Sequence, residues 1–190
     1  MLLTPLVCAA KGGYPNVIKP LIEHDGADIN ACSKNGFTPL HTAAASGEES
    51  FVRALIVEHG VDLNNVANDG ATALLAAARK GYVKVIQELV KHGADVNIPD
   101  ESGIVPLYVT AKKGNREIIR VLIDNGANLD ARTKTGVTAV YAAAQEDHVD
   151  VVQLLAMHGA NVNTASDDGK TPMVVAAEKG HVDECNLCSG

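Results

Sequence analysis

The sequence predicts an all-α array of repeated helix pairs, and three observations point to it. A glycine that follows a polar turn residue recurs at Gly36, Gly70, Gly103, Gly136 and Gly169, in steps of 34, 33, 33 and 33 residues. A period of that size marks a chain built from stacked units. Two residues after each glycine stands the same kind of triplet: TPL from Thr38, TAL from Thr72, VPL from Val105, TAV from Thr138 and TPM from Thr171, with TPL from Thr4 extending the series. The chain is 46% hydrophobic yet holds only two Phe, four Tyr and no Trp, so its core must come from Ala, Val, Leu and Ile, which favours close-packed helices.

Each unit follows one physical script. Asn-Gly or Asp-Gly makes a tight turn, Thr caps a helix through its hydroxyl, and Pro at the first helical position brings a preset φ where no N–H is needed. A short first helix follows, with small residues at Ala43 to Ala45, Ala76 to Ala78 and Ala142 to Ala144, so that neighbours can approach closely. Glycine stops it at Gly47, Gly81, Gly114 and Gly180. A second helix carries apolar residues at i, i+3, i+4 spacing, as in VKVIQELVKHG from Val83 and VDVVQLLAMHG from Val149. Another glycine ends it. The units fall at approximately 1–33, 34–66, 67–99, 100–132, 133–165 and 166–190, the last incomplete, in a single domain spanning 1–190.

The pattern resembles the ankyrin repeat, most closely in NGFTPLHTAAASG from Asn35 and LVKHGADVN from Leu89, and it extends over about residues 4 to 182. That resemblance implies an ankyrin-repeat solenoid: antiparallel helix pairs stacked side by side, with β-turn fingers projecting from them. No unit buries enough apolar surface to fold alone, so stability comes from stacking on neighbours.

Three departures stand out. Pro15 and Pro20 fall in the second-helix region of the first unit, and an interior proline costs about 3 kcal/mol unless the helix kinks or starts late. Looser packing is expected there. Asp147 stands where the fifth unit should have its stop glycine, tolerable if it adopts a left-handed conformation. The sixth unit runs out at HVDECNLCSG without a polar cap, which suggests a fragment of a longer array or an end that pairs, including with another copy of the chain.

Composition excludes several function classes. The formal charge is −7 and no run of about 18 apolar residues occurs, so no membrane span is expected. The opening MLLTPLVCAA lacks the basic start of a signal peptide and lies in register with the repeats. Cys8, Cys32, Cys185 and Cys188 are too few and too uneven for a disulfide framework, which fits a reducing, intracellular compartment such as the cytoplasm, with the nucleus left open. The CNLC pair with His181 offers three ligands where a structural zinc site uses four, so no metal is expected. All seven histidines are accounted for by repeat position: His24, His59, His92 and His158 in last turns, His148 and His181 at second-helix starts, and His41 in TPLH. The carboxylates Asp28, Asp62 and Asp95 share a turn position. No GxxxxGK[ST], HExxH or GxSxG motif occurs, and KGG from Lys11 is a helix stop. No catalysis and no cofactor are expected.

What the repeats leave free points to a binding surface. By resemblance, such arrays bind partner proteins through finger tips and the exposed surface of the first helices, which line a concave face. The candidate partner-binding residues are Lys34, Asn35, Phe37, Glu101, Ile104, Lys134 and Val137 on fingers, and Arg79, Lys80, Tyr108, Lys112, Lys113 and Gln145 on first helices. Stacking of the third and fourth units is expected to gather Arg79, Lys80, Lys112 and Lys113 on one cationic ledge bordered by Phe37, Ile104 and Val137, while Asp167, Asp168 and Glu178 make the sixth unit acidic. An acidic partner segment with an apolar anchor matches that layout. Nucleic acid matches it less well, because no aromatic stacking platform accompanies the cations and the overall charge is repulsive. The family resemblance also makes Asn97, with Leu89 eight residues before it, a candidate for asparaginyl hydroxylation, with Asn30, Asn64 and Asn163 in equivalent places. The expected function is therefore a non-catalytic protein-binding module. The alternatives are a recruiting fragment of a larger enzyme, effector or adaptor, and a structural spacer.

Overall fold

The computed structural model describes residues 4–181 and divides them into two compact units, one ending at Glu101 and the other beginning at Ser102. All regular elements among the described residues are helical, apart from one isolated bridge between Val66 and Thr72. In the first unit the short inner helices are α1 (Pro5–Gly12), α3 (Pro39–Ser46) and α5 (Ala73–Lys80), and the outer helices are α2 (Ile18–Glu23), α4 (Glu49–His59) and α6 (Val83–Lys91). In the second the inner helices are α7 (Pro106–Lys112), α9 (Ala139–Gln145) and α11 (Pro172–Lys179), and the outer ones α8 (Arg116–Asp124) and α10 (Val149–Met157).

The inner helices start where the threonines stand. The hydroxyls of Thr4, Thr38, Thr72, Thr138 and Thr171 accept N–H bonds from Val7, His41, Leu75, Tyr141 and Val174, satisfying donors that a helix leaves open. Val105 can offer no such bond, and α7 begins without a side-chain cap. Helices of seven or eight residues are not stable alone, so packing must hold them. Within the first unit α3 packs on both α1 and α5, and within the second α9 packs on both α7 and α11. Ala43, Ala44, Ala77, Ala78, Ala142, Ala143 and Ala144 are wholly buried at these contacts, where a longer side chain would push the helices apart.

The outer helices bury larger residues. Phe51, Val52 and Leu55 in α4, Ile86 and Leu89 in α6, Ile118, Ile119 and Leu122 in α8, and Val151 and Leu155 in α10 are fully enclosed. Arg53 on α4 donates to Glu88 on α6 from Nε at 3.1 Å and from Nη2 at 3.3 Å, and this contact holds the Glu88 carboxyl below the ordinary range. The first unit's second helix starts late: Pro15 opens a 3₁₀ turn (Pro15–Val17), and α2 begins only at Ile18. Pro20 therefore sits in a first turn, where its missing N–H costs nothing. The expected looseness shows in burial, since Ile18 alone of α2 is enclosed. Asp147 takes φ 62°, the left-handed conformation that its place in the repeat requires. The CNLC segment lies outside the described residues.

The fingers join by main chain. In each unit they are tight turns, for example Ser33 N–H to the Phe37 carbonyl at 2.9 Å and Gly36 N–H to the Ser33 carbonyl at 2.9 Å. Successive fingers are then linked: Asn68 N–H donates to the Asn35 carbonyl (3.0 Å) and Glu101 N–H to Asp69 (2.9 Å) in the first unit, Lys134 N–H to Ser102 (2.9 Å) and Asp167 N–H to Thr135 (3.1 Å) in the second. Gly36 and Gly70 have positive φ, and a Cβ on either would stand 2.7 and 2.8 Å from the backbone N of Asn68 and Glu101 respectively.

His41 ties a helix to the next finger. Its Nδ1 accepts from the Thr38 N–H at 3.3 Å, which leaves Nε2 to carry the proton and donate to the Ala71 carbonyl at 3.0 Å. Burial pushes its pKa down, outweighing the upward pull of that carbonyl bond.

Two predictions follow from these local departures. Val105→Thr supplies the missing cap and Asp147→Gly relieves the left-handed aspartate, each expected to raise stability by about 1 kcal/mol in urea denaturation. Because the His41 pKa is lowered on folding, the unfolded state takes up the proton first. Its contribution is full above about pH 6.5 and is lost as pH falls below that value. Thermal melting between pH 7.5 and 5.5 should show a fall in midpoint that is smaller in His41→Leu, although that variant melts lower at pH 7.5.

Candidate binding surface

In each unit fingers and inner helices line a groove, and the outer helices border depressions too, beside α4 in the first unit and beside α8 and α10 in the second. In the first unit a groove of about 390 Å³ opens between α1, α3 and the finger at residues 33–37, and Lys34, Asn35 and Phe37 line it. In the second a more polar groove of about 460 Å³ brings together Tyr108, Lys134, Val137 and Gln145, with Tyr141 and Asp167 completing its walls. Seven of the residues singled out from sequence thus fall into two depressions, one per unit. Burial, with Glu146 and Tyr141 nearby, pushes the Tyr108 phenol up, so its hydroxyl stays a hydrogen-bond donor at neutral pH.

The cationic residues differ sharply in what they touch. Arg79, on α5, reaches Asp100 at 2.5 Å and Asp69 at 3.3 Å, and Asp100 is itself buried. Burial pushes the Asp69 carboxyl up, but the Ala71 N–H and the Arg79 guanidinium overcome it and hold its pKa below the ordinary range. Arg79 is therefore a strut between an inner helix and two finger carboxylates. Lys112 pairs with Glu146 at 3.8 Å. Lys113 is exposed and has an interaction of its own within the fold. Lys34, Lys80, Glu101 and Lys134 are exposed, and among the described residues their charged groups meet no ion-pair or hydrogen-bond partner.

Ile104 and Val137 are half-buried on their fingers. The acidic side chains of the sixth repeat are partnered locally: Asp167 takes Arg132 at 3.1 Å, Glu178 takes Lys170 at 2.7 Å, and Asp168 accepts from Ser166. No sequence motif announces these pairs, which depend on which rotamers meet. Sequence reasoning also passed over Val7 and Lys11, because only the fold sets them beside Phe37.

Candidate chemistry elsewhere is sparse. Asn97 is exposed and donates its N–H to Asp95 at 2.8 Å, while Leu89 is wholly buried. Among the described residues no group of three His, Cys, Asp or Glu side chains is placed to hold a metal ion, and no helix is long and apolar enough to cross a membrane.

A family model described as ankyrin repeats, in three copies, matches the chain over residues 2–67, 50–133, 74–166 and 107–188. No match is found among curated proteins. Taken together the overlapping matches run from residue 2 to residue 188, and the geometry beneath them is threonine-capped inner helices, left-handed stop residues and linked fingers. The chain belongs to the ankyrin-repeat family.

Proposed function

We propose that this chain is a non-catalytic module of the cell interior that binds another protein through its fingers and inner helices. The carrying observation is a division of labour among side chains. Residues that recur from repeat to repeat cap, stop or pack helices, whereas Lys34, Lys80, Glu101 and Lys134, at finger and inner-helix positions that vary between repeats, hold unpartnered charge, and in the first unit a largely apolar groove opens beside Lys34. Ankyrin repeats are in general protein-interaction modules.

The partner chemistry best matched is an acidic segment with an apolar anchor. Unpartnered lysines attract carboxylates and speed encounter, while an apolar side chain seated in a groove supplies the holding energy. Arg79 contributes less than its charge suggests, because Asp69 and Asp100 already neutralise it. Lys80 and Lys34 carry more of the attraction.

Selection of binders from a random peptide library against the intact chain tests this reading. Selected peptides should be acidic with at least one large apolar residue, and Lys80→Glu or Lys34→Glu should weaken them by about fivefold or more, the range expected of a charge reversal worth about 1 kcal/mol. Arg120→Glu, on the outer helix α8, should leave them unchanged. Binders that ignore the lysine changes and respond to Arg120→Glu would place recognition on the opposite side and sink the proposal.

A further inference from the structure

The groove in the first unit has a polarity that gives a bound segment a register. Its floor is apolar, made by Val7, Phe37 and Ala45, with the His41 ring edge-on to Phe37 at a centroid distance of 5.7 Å. Lys11 and Lys34 line it, both exposed and without a charged partner among the described residues, and no carboxylate lines it. Phe37 also borders a second depression of about 300 Å³, in which Asn35 and Asn68 stand with Asp69 and Glu101. Asp69 is held by Arg79, but Glu101 is exposed and unpartnered. The sign of the available charge therefore changes from one side of Phe37 to the other.

The geometry points to a partner segment with three ordered features: carboxylates against Lys11 and Lys34, one apolar side chain in the groove beside Phe37, and a cation against Glu101. This rests on the protein-binding reading above and narrows it, since a uniformly acidic segment would meet Glu101 with the wrong charge. Like charges brought together at an interface are a device for rejecting partners as much as a cost. The apolar residue provides burial, and the two charged ends decide which way round the segment lies. Glu101 thereby becomes a specificity-determining residue.

The test uses three synthetic peptides titrated into the ¹⁵N-labelled full chain: Asp-Asp-Gly-Leu-Gly-Lys-Lys, Asp-Asp-Gly-Leu-Gly-Asp-Asp, and the first with Gly in place of Leu. The mixed-charge peptide should shift amides across residues 33–46 and bind about fivefold more tightly than the all-acidic one, and the peptide without Leu should produce no saturable shift. Glu101→Lys should reverse the preference between the first two. Ala45→Gln, which fills the groove from a helix without adding charge, should abolish the shifts while circular dichroism stays unchanged.

Absence of shifts in residues 33–46 at millimolar peptide overturns the assignment. An unaltered preference in Glu101→Lys does the same. So do concentration-dependent shifts of these amides without peptide, which would mean that a second copy of the chain occupies the groove. If the charge swap fails while library-selected peptides still respond to Lys80→Glu, the groove assignment falls and the wider protein-binding reading stands; if both fail, both fall.

Discussion

The N–H of one finger donates to the carbonyl of the finger before it, at 2.9 to 3.1 Å in the four links described, and the rest of each unit is built around that distance. Such a bond needs two main chains in near contact with no side chain between them. Gly36 and Gly70 satisfy both halves of the requirement, since each turns the finger through positive φ and each would collide with the next backbone if it carried a Cβ. The inner helices must then lie equally close. Alanine is the residue that permits it, and Ala43, Ala44, Ala77 and Ala78 are accordingly enclosed without remainder.

Close stacking also determines what becomes of charge. Where a finger meets the inner helix beside it, long side chains find partners within reach, and Arg79 is drawn to Asp100 across 21 residues of sequence. Asp100 is buried, so its charge has to be compensated, and the guanidinium provides two N–H donors to finger carboxylates. Charges beyond the reach of a neighbour stay free. Lys34, Lys80, Glu101 and Lys134 are of that kind, and their freedom is a by-product of where stacking places them.

Much of the local structure was legible residue by residue. Thr38, Thr72, Thr138 and Thr171 cap helices as their spacing before the apolar runs indicated, because capping depends on residues only three apart. Pro20 demanded either a kink or a late start, and the chain starts late. Asp147 had to be left-handed for the fifth unit to turn, and it is. The fate of the individual cations was less legible. Arg79, Lys80, Lys112 and Lys113 read alike as variable basic positions, yet Arg79 is a strut and Lys112 is paired, while Lys80 is unpartnered. Rotamers and neighbours a repeat away make that difference.

By itself the sequence determined the period, the helix starts and stops, and membership of a stacked-repeat architecture, because each follows from short-range backbone chemistry repeated until chance is excluded. Only the tertiary structure decided which of the leftover side chains find partners and which of them line a groove. Val7 and Lys11 enter the groove beside Phe37 from a helix about 30 residues away, a juxtaposition produced by the stacking distance and not by any motif. Specific recognition depends on such juxtapositions, since an ion pair or an apolar contact acts over a few ångströms in space whatever the separation along the chain.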